Sequence, residues 1–163
     1  MINFKDYIEN VKDFPKEGIL YRDIQPLLEN NLAFSFAINS MEELLDETPK
    51  YWVGIESRGF LFASALAMKF GGGIKMIRKE GKLPDRNHVL HAIEYELEYG
   101  SATIEMKPGK GKVVIVDDVY ATGGTMDAAE ELCKMSGYEV IGKLCLVDIG
   151  IKKDHDVKCL ITY

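Results

Sequence analysis

The pattern of hydrophobic and polar positions along the chain predicts helices and strands in alternation. Apolar residues that recur every three or four positions indicate amphipathic helices, and short uninterrupted apolar runs indicate buried strands. The pattern predicts helices at 31–46, 60–70 and 125–135, and strands at 51–55, 74–78, 113–116, 139–147 and 158–162. Strands that alternate with helices are typical of an α/β fold with a mainly parallel central sheet flanked by helices. Binding sites of such sheets lie at the carboxyl ends of the strands.

The N-terminal part of the chain has a weaker pattern. A short helix is predicted there from the helical spacing of the apolar residues Phe4, Tyr7, Ile8 and Val11. Pro15 and Gly18 then interrupt any regular element, so we expect an irregular segment over residues 13–26.

Composition narrows the class of protein. A chain of 163 residues is expected to form one domain with a substantial core. Its net charge of −6 argues against non-specific binding to nucleic acid or to an anionic membrane. No apolar run is long enough to span a bilayer, and the N-terminus lacks the apolar stretch of a signal peptide. Free thiols in the reducing cytoplasm are the expected state of Cys133, Cys145 and Cys159.

Candidate chemistry is densest after the strand predicted at 113–116. Asp117 and Asp118 follow the strand, and a short Gly/Thr loop over residues 121–125 then opens a helix. Taken singly, two glycines are usually a turn and an aspartate is usually a solvated cap. Together, unpaired backbone N–H groups at a helix start favour an anion, and the carboxylates can accept bonds from sugar hydroxyls. The segment therefore predicts a ribose 5-phosphate site, and it matches neither a Walker loop nor a Rossmann motif.

Two more polar clusters follow strands. Glu56, Ser57 and Arg58 come directly after the strand at 51–55, and they suit either an ordinary capped turn or a second anion site. Residues 75–86 carry five cations against two carboxylates, among them Arg78, Lys79 and Lys82. Such a run is usually a solvated face, but a highly anionic substrate requires a positive patch. RNA is a weaker alternative partner, because few aromatic residues interleave with the cations.

These clusters, together with residues 13–24 and the string Leu97-Glu98-Tyr99-Gly100, resemble the adenine phosphoribosyltransferase family. The resemblance runs in the family's order from residue 13 to residue 149. The acidic pair and glycine loop alone resemble the wider group of type I phosphoribosyltransferases, which use phosphoribosyl pyrophosphate (PRPP). The other strings separate adenine enzymes from the rest of that group.

The resemblance implies a purine-salvage reaction in which adenine and PRPP give AMP and pyrophosphate with Mg²⁺. It implies a glycosyltransferase that acts as a cytoplasmic homodimer, and it implies no nucleic-acid or membrane partner. The implied fold is type I phosphoribosyltransferase-like, a single domain with a small hood over about residues 1–30 and a mobile catalytic loop over about 82–105. Mg²⁺ is expected to be held mainly through PRPP and pyrophosphate.

The resemblance also assigns residues to roles. The ribose and 5-phosphate site is implied for Asp117, Asp118, Ala121, Thr122, Gly123, Gly124 and Thr125. The pyrophosphate site is implied for Glu56, Ser57, Arg58, Arg78, Lys79 and Lys82, with a non-proline cis peptide in the loop at 56–58. Adenine is expected to lie against Leu20, Tyr21, Arg22 and Ile149. The catalytic residues are expected to be Glu98, Tyr99 and Arg58.

Some alternatives stay open from the residues. Glu94, Glu96 and Glu98 alternate with apolar residues, so Glu98 also suits a solvated position on a strand. Residues 85–96 are longer than the usual connection in the family, residues 101–111 are shorter, and Tyr120 stands where the family often has Leu. The alternative functions are transfer to hypoxanthine, guanine or xanthine, and a non-catalytic regulator that senses PRPP.

Overall fold

The computed structural model of the chain describes residues 2–84, 90–97 and 100–163. It divides into two compact units, Met1–Ser40 and Met41–Tyr163. The division falls within helix α2 (Asn31–Glu42). The helix predicted over residues 31–46 is confirmed, but it ends at Glu42. The expectation of one domain with a hood over residues 1–30 stays a prediction.

The first unit contains a β-hairpin where an N-terminal helix was predicted. A short 3-10 helix (Phe4–Tyr7) precedes strand β1 (Glu9–Lys12), which pairs with the antiparallel strand β2 (Leu20–Asp23) and is followed by α1 (Gln25–Glu29). The prediction was wrong from Ile8 onward, because Val11 lies opposite Tyr21 in the hairpin and its backbone is paired across strands. The Asp13 side chain accepts a hydrogen bond from the Gly18 N–H at 2.8 Å and helps to close the hairpin loop.

The second unit is built on a seven-stranded sheet. Its strands are β3 (Tyr51–Ile55), β4 (Gly73–Lys79), β5 (His91–Leu97), β6 (Gly100–Met106), β7 (Gly111–Tyr120), β8 (Tyr138–Asp148) and β9 (Lys158–Thr162). Their order is β5-β6-β4-β3-β7-β8-β9. Strands β4, β3, β7, β8 and β9 run parallel, whereas β6 is antiparallel to both β4 and β5. The expected mainly parallel α/β sheet is confirmed.

Helices α3 (Gly59–Phe70) and α4 (Gly124–Met135) follow β3 and β7, as the apolar periodicity predicts. Helix α3 buries Phe62, Ala63 and Leu66, and α4 buries Ala129, Leu132 and Cys133. The central strand β7 is fully buried from Val113 to Val116, as expected for a strand covered on both faces. These packed elements hold the loops at the carboxyl ends of β3 and β7 in place.

Strands β5 and β6 form an antiparallel hairpin in the segment where a mobile loop was expected. Residues 85–89 and the pair Glu98 and Tyr99 lie outside the described part of the chain. Strand β6 was missed because its polar residues interrupt the apolar pattern of a buried strand. No helix in the described part of the chain is long and apolar enough to cross a membrane.

Candidate active site at the carboxyl edge of the sheet

The order of the strands brings the three polar clusters to one edge of the sheet. Strands β4, β3 and β7 are neighbours and run parallel, so the residues that follow them meet at their carboxyl ends. Nε of Arg58 lies 2.9 Å from Oδ2 of Asp118, which joins the loop after β3 to strand β7. Nε of Arg78 lies 3.4 Å from Oε2 of Glu56, which joins β4 to the same loop.

The glycine loop after β7 forms a concave pocket at the start of α4. Gly123 is the N-cap of α4 with a φ of +94°, a left-handed conformation that favours glycine. The residues that line the pocket are Asp117, Val119, Tyr120, Ala121, Thr122, Gly123, Thr125 and Met126. Unpaired N–H groups at the first turn of a helix and the helix dipole both attract an anion. The pocket therefore has the chemistry of a phosphate cradle.

The two aspartates beside this pocket differ in their partners. Asp118 is buried and paired with Arg58, whereas the carboxylate of Asp117 accepts a hydrogen bond from the Asp118 N–H at 2.9 Å. Burial, reinforced by the negative charge of Asp118, raises the pKa of Asp117 well above its usual range. Burial also raises the pKa of Asp118, and the Arg58 guanidinium offsets part of that rise. The pair is thus a costly arrangement of buried acids, which is typical of functional sites.

The loop after β3 is tied to β4 through Glu56. The Glu56-Ser57 peptide bond is cis, as the resemblance implies. The carboxylate of Glu56 accepts a hydrogen bond from the Lys79 N–H at 2.8 Å in addition to its ion pair with Arg78. Burial alone raises the pKa of Glu56, but the Lys79 N–H and the charges of Arg78 and Lys82 outweigh it and lower that pKa. Glu56 therefore stays ionised and orients the cations of β4.

The segment after β4 is held by a buried carboxylate that the sequence did not single out. Glu105 on β6 accepts hydrogen bonds from the N–H groups of Lys82, at 3.0 Å, and Leu83, at 2.7 Å. Arg78 donates a hydrogen bond to the Lys82 carbonyl at 3.3 Å. Glu105 escaped notice because the residues that cover it, 82 and 83, are distant from it in sequence.

The residues expected to contact adenine are described in separate units. Leu20, Tyr21 and Arg22 lie on β2 of the first unit, where Tyr21 meets the Phe14 ring edge-on at a centroid distance of 5.2 Å. Ile149 lies in the second unit, and its N–H donates to the Tyr120 carbonyl at 3.1 Å. Their shared role stays a prediction, as does that of Glu98 and Tyr99, which lie outside the described residues.

The carboxylates at this edge are the kind of oxygen ligand that Mg²⁺ prefers. Among the described residues, no group of three or more His, Cys, Asp or Glu side chains is arranged to hold a metal ion. A Mg²⁺ ion commonly takes one or two carboxylates and completes its shell with water and substrate phosphates. Asp117 and Asp118 fit such a partial contribution.

Comparison with known proteins gives consistent matches. Residues 25–163 match the family described as phosphoribosyl transferase domain. Adenine phosphoribosyltransferase of Hydrogenovibrio crunogenus is 52% identical, over 88% of this chain and 83% of that protein. Adenine phosphoribosyltransferase of Bdellovibrio bacteriovorus is 47% identical, over 99% of this chain and 100% of that protein.

Solved structures agree with the sequence matches. The crystal structure of adenine phosphoribosyltransferase from Rhodothermus marinus has a TM-score of 0.86 at 36% identity, covering 98% of this chain and 96% of that chain. The Giardia lamblia enzyme complexed with 9-deazaadenine has a TM-score of 0.89 at 29% identity, covering 100% and 99% of the two chains.

Proposed function

The chain belongs to the adenine phosphoribosyltransferases, and we propose that its active site is the carboxyl edge of strands β4, β3 and β7. The enzyme is a glycosyltransferase of purine salvage that transfers the 5-phosphoribosyl group of PRPP to adenine. The products are AMP and pyrophosphate. The observation that carries the site assignment is the buried acidic pair, ion-paired to Arg58, directly ahead of the glycine loop.

The ribose 5-phosphate end of PRPP binds at β7 and the start of α4. The 5-phosphate accepts hydrogen bonds from backbone N–H groups of residues 121–125, and Gly123 gives the backbone close access to it. Asp117 and Asp118 accept hydrogen bonds from the ribose hydroxyls. This placement explains why two carboxylates lie beside an anion site, since they face the sugar and not the phosphate.

The pyrophosphate end binds between the loops after β3 and β4. Arg58, Arg78, Lys79 and Lys82 supply positive charge, with Glu56 orienting Arg78 through their ion pair. Backbone groups of Glu56 and Ser57 complete the anion site. As the bond from C1 of the ribose to pyrophosphate breaks, negative charge grows on the leaving group, and these preorganised cations stabilise it.

The sugar becomes positively charged in the same step. Breaking the C1 bond gives the ribose oxocarbenium character, and the negative charge of Asp117 and Asp118 lies beside that ring. Arg58 touches Asp118 and belongs to the pyrophosphate loop, so it links the two charged ends of the substrate. This coupling supports its assignment as a catalytic residue.

Mg²⁺ is the proposed cofactor, held mainly by oxygens of PRPP and pyrophosphate with a carboxylate of the acidic pair as the protein's contribution. When bound, it neutralises the charge that develops on pyrophosphate. The chain's own residues orient the substrate that carries it.

Leu20, Tyr21, Arg22 and Ile149 are the proposed adenine-contacting residues. Glu98 and Tyr99 follow β5 in the sequence, and Glu98 exchanges a proton with the purine ring as the base attacks C1. Closure of the catalytic loop that the resemblance implies over about residues 82–105 excludes the water that hydrolyses PRPP.

The enzyme is proposed to act as a homodimer in the cytoplasm. Exposed apolar side chains suited to an interface occur at Leu61 and Met68, one helical face of α3, and at Ile74 and Met76, one face of β4. Sedimentation equilibrium at micromolar concentration tests the dimer. The cytoplasmic location is supported by the cysteines, because Cys133, Cys145 and Cys159 are free thiols.

The experiment that tests this function is product formation from labelled adenine, PRPP and Mg²⁺, compared across a panel of purine bases. The proposal expects AMP and pyrophosphate in equal amounts and the highest kcat/KM with adenine. PRPP binding without turnover of any base would instead indicate a regulator.

A further inference from the structure

A buried phenol faces the phosphate pocket. Tyr120 ends strand β7, is 2% exposed and lines the pocket together with Gly123. The Lys152 ammonium lies beside the Tyr120 hydroxyl and interacts with it. An ammonium can only donate a hydrogen bond, so the buried O–H of Tyr120 still lacks an acceptor among the described residues, and a ligand oxygen in the pocket is the natural acceptor for it.

Lys152 converges on the same point from another segment of the chain. A methyl group built on Gly123 would lie 2.8 Å from the Tyr120 hydroxyl oxygen and 3.0 Å from Nζ of Lys152. The ammonium therefore sits at the edge of the glycine loop, close to the phenol. Its ion-pair partner is Asp127 in the first turn of α4, with Nζ 3.1 Å from Oδ2.

The segment that carries Lys152, residues 149–157, packs against Tyr120. The His155 ring lies against the Tyr120 ring at a centroid distance of 4.3 Å, and its Nε2 is 3.4 Å from Oδ2 of Asp148. Asp148 also accepts a hydrogen bond from the Gly150 N–H at 2.8 Å. These contacts at both ends of residues 149–157 hold the Lys152 backbone beside the pocket, while its side chain stays 40% exposed and able to turn.

A phosphate bound in this pocket needs a full positive charge nearby. Arg58 is engaged by Asp118 and backbone N–H groups supply only partial charges, whereas the Lys152 ammonium is a full cation at the edge of the loop. The Lys152–Asp127 pair is exposed on both sides, so breaking it costs little. If Lys152 turns from Asp127 to a bound phosphate, its ion-pair partner changes from a carboxylate with one negative charge to a phosphate with two.

We propose that Lys152 and Tyr120 are additional ligands of the 5-phosphate, with Lys152 supplying the cation and Tyr120 a hydrogen-bond donor from the pocket floor. The inference rests on the proposed ribose 5-phosphate site and extends it to two side chains outside the glycine loop. It makes recognition of the 5-phosphate depend on the segment 149–157. Both residues position the substrate, and neither acts on the reacting C1 atom.

The test uses the two halves of PRPP as separate ligands. Calorimetry measures the affinities of ribose 5-phosphate and of pyrophosphate with Mg²⁺ for the full-length wild type and for Lys152→Ala, Lys152→Arg and Tyr120→Phe. Lys153→Ala is the matched control, because the neighbouring lysine is exposed and removes the same charge. Steady-state kinetics with PRPP accompany the binding measurements.

Lys152→Ala is expected to weaken ribose 5-phosphate binding about tenfold, as for loss of a charge-assisted hydrogen bond, and to leave pyrophosphate affinity unchanged. Lys152→Arg should restore most of the affinity, and Tyr120→Phe should weaken ribose 5-phosphate binding several-fold. KM for PRPP should rise in both weakened variants with little change in kcat.

Two results would overturn the inference. One is wild-type affinity for ribose 5-phosphate in both Lys152→Ala and Tyr120→Phe. The other is an equal loss of affinity for both ligands, or an equal loss in Lys153→Ala, which would indicate a structural or non-specific charge effect. Failure of the wild type itself to bind ribose 5-phosphate would refute the proposed site, and the inference with it.

Discussion

At the scale of single residues, the site is a set of charges held where folding alone would not favour them. Asp117 and Asp118 are adjacent acids at the end of a buried strand, and burial raises the pKa of both. The guanidinium of Arg58, 2.9 Å away, partly offsets the rise in the pKa of Asp118, so the pKa of Asp117 is raised more. Two buried adjacent acids lower the stability of the free enzyme, and groups with such shifted pKa values are typical of ligand-binding sites.

Replacing Asp117 by Asn should therefore stabilise the free enzyme at neutral pH and lower its turnover. The folded state holds the Asp117 proton more tightly than the unfolded chain does, because its pKa is raised. The corresponding stability is fully present below the ordinary pKa of aspartate and is lost as the pH rises through the raised pKa. Asparagine mimics the protonated form at every pH. Thermal unfolding between pH 4 and pH 8 should show a higher Tm and a flatter pH dependence in Asp117→Asn.

The same comparison has a clear contrary outcome. A variant Tm below that of the wild type at pH 7, with turnover intact, would mean that Asp117 is a stabilising cap and not a ligand of the sugar.

A substitution at Gly123 tests whether the backbone of the glycine loop closely approaches the phosphate. Gly123→Ala places a methyl group 2.8 Å from the Tyr120 hydroxyl and requires a positive φ, so PRPP affinity should fall by at least about tenfold. Gly71→Ala is the matched control, since Gly71 has a φ of +84° with nothing within 4 Å of the added atom. Both variants should lose about 1–2 kcal/mol of stability from the backbone strain. Equal PRPP affinities by calorimetry would remove Gly123 from the phosphate site.

At the scale of elements, strand β6 fixes the segment after β4, the proposed pyrophosphate side of the site, through Glu105. Its carboxylate holds the N–H groups of residues 82 and 83 and is itself buried. A carboxylate that accepts two backbone bonds fixes the loop that carries Lys82. The β5–β6 hairpin therefore contributes to the site through the position of its neighbours.

Glu105→Ala should leave two N–H groups without their partner and destabilise the protein by about 1–3 kcal/mol. KM for pyrophosphate in the reverse reaction should rise, because Lys82 loses its fixed position. Glu105→Gln keeps one acceptor oxygen and should recover part of both losses. Unchanged melting and kinetics in Glu105→Ala would show that the loop is held by other contacts.

Glu98, which follows β5 in the sequence, carries the remaining catalytic prediction. Glu98→Gln should lower kcat by about 10²–10⁴-fold, the usual contribution of general acid–base catalysis, with PRPP affinity nearly unchanged. Glu96→Gln is the matched control on the same alternating pattern. Equal turnover in the wild type and both variants, measured under adenine saturation, would place Glu98 among the solvated carboxylates.

The elements show where sequence reasoning succeeds and where it stops. Long apolar patterns located α3, α4 and the central strands, because burial on both faces leaves a strong signal. Val11 was misassigned because pairing with β2 outweighs its helical spacing, and β6 was missed because polar residues interrupt its apolar pattern. The glycine loop and acidic pair were found from adjacent residues. Glu105 and Lys152 were missed because their partners are distant in sequence.

At the scale of the whole molecule, the order of the strands brings polar clusters that are separate in the sequence to one edge of the sheet. The clusters after β3, β4 and β7 are far apart along the chain, and the sheet places these strands side by side. Ion pairs from Arg58 to Asp118 and from Arg78 to Glu56 then link the clusters. In the first unit, the residues predicted to contact adenine lie on strand β2 of a hairpin. Function in this chain thus follows from topology as much as from any single motif.

The most direct test of this account is a crystal structure of the enzyme with AMP bound. The account predicts the 5-phosphate in the loop formed by residues 121–125 and the ribose hydroxyls on Asp117 and Asp118. A phosphate bound instead beside Arg58 and Lys79, with the glycine loop empty, would contradict the assignment of the two ends of the substrate.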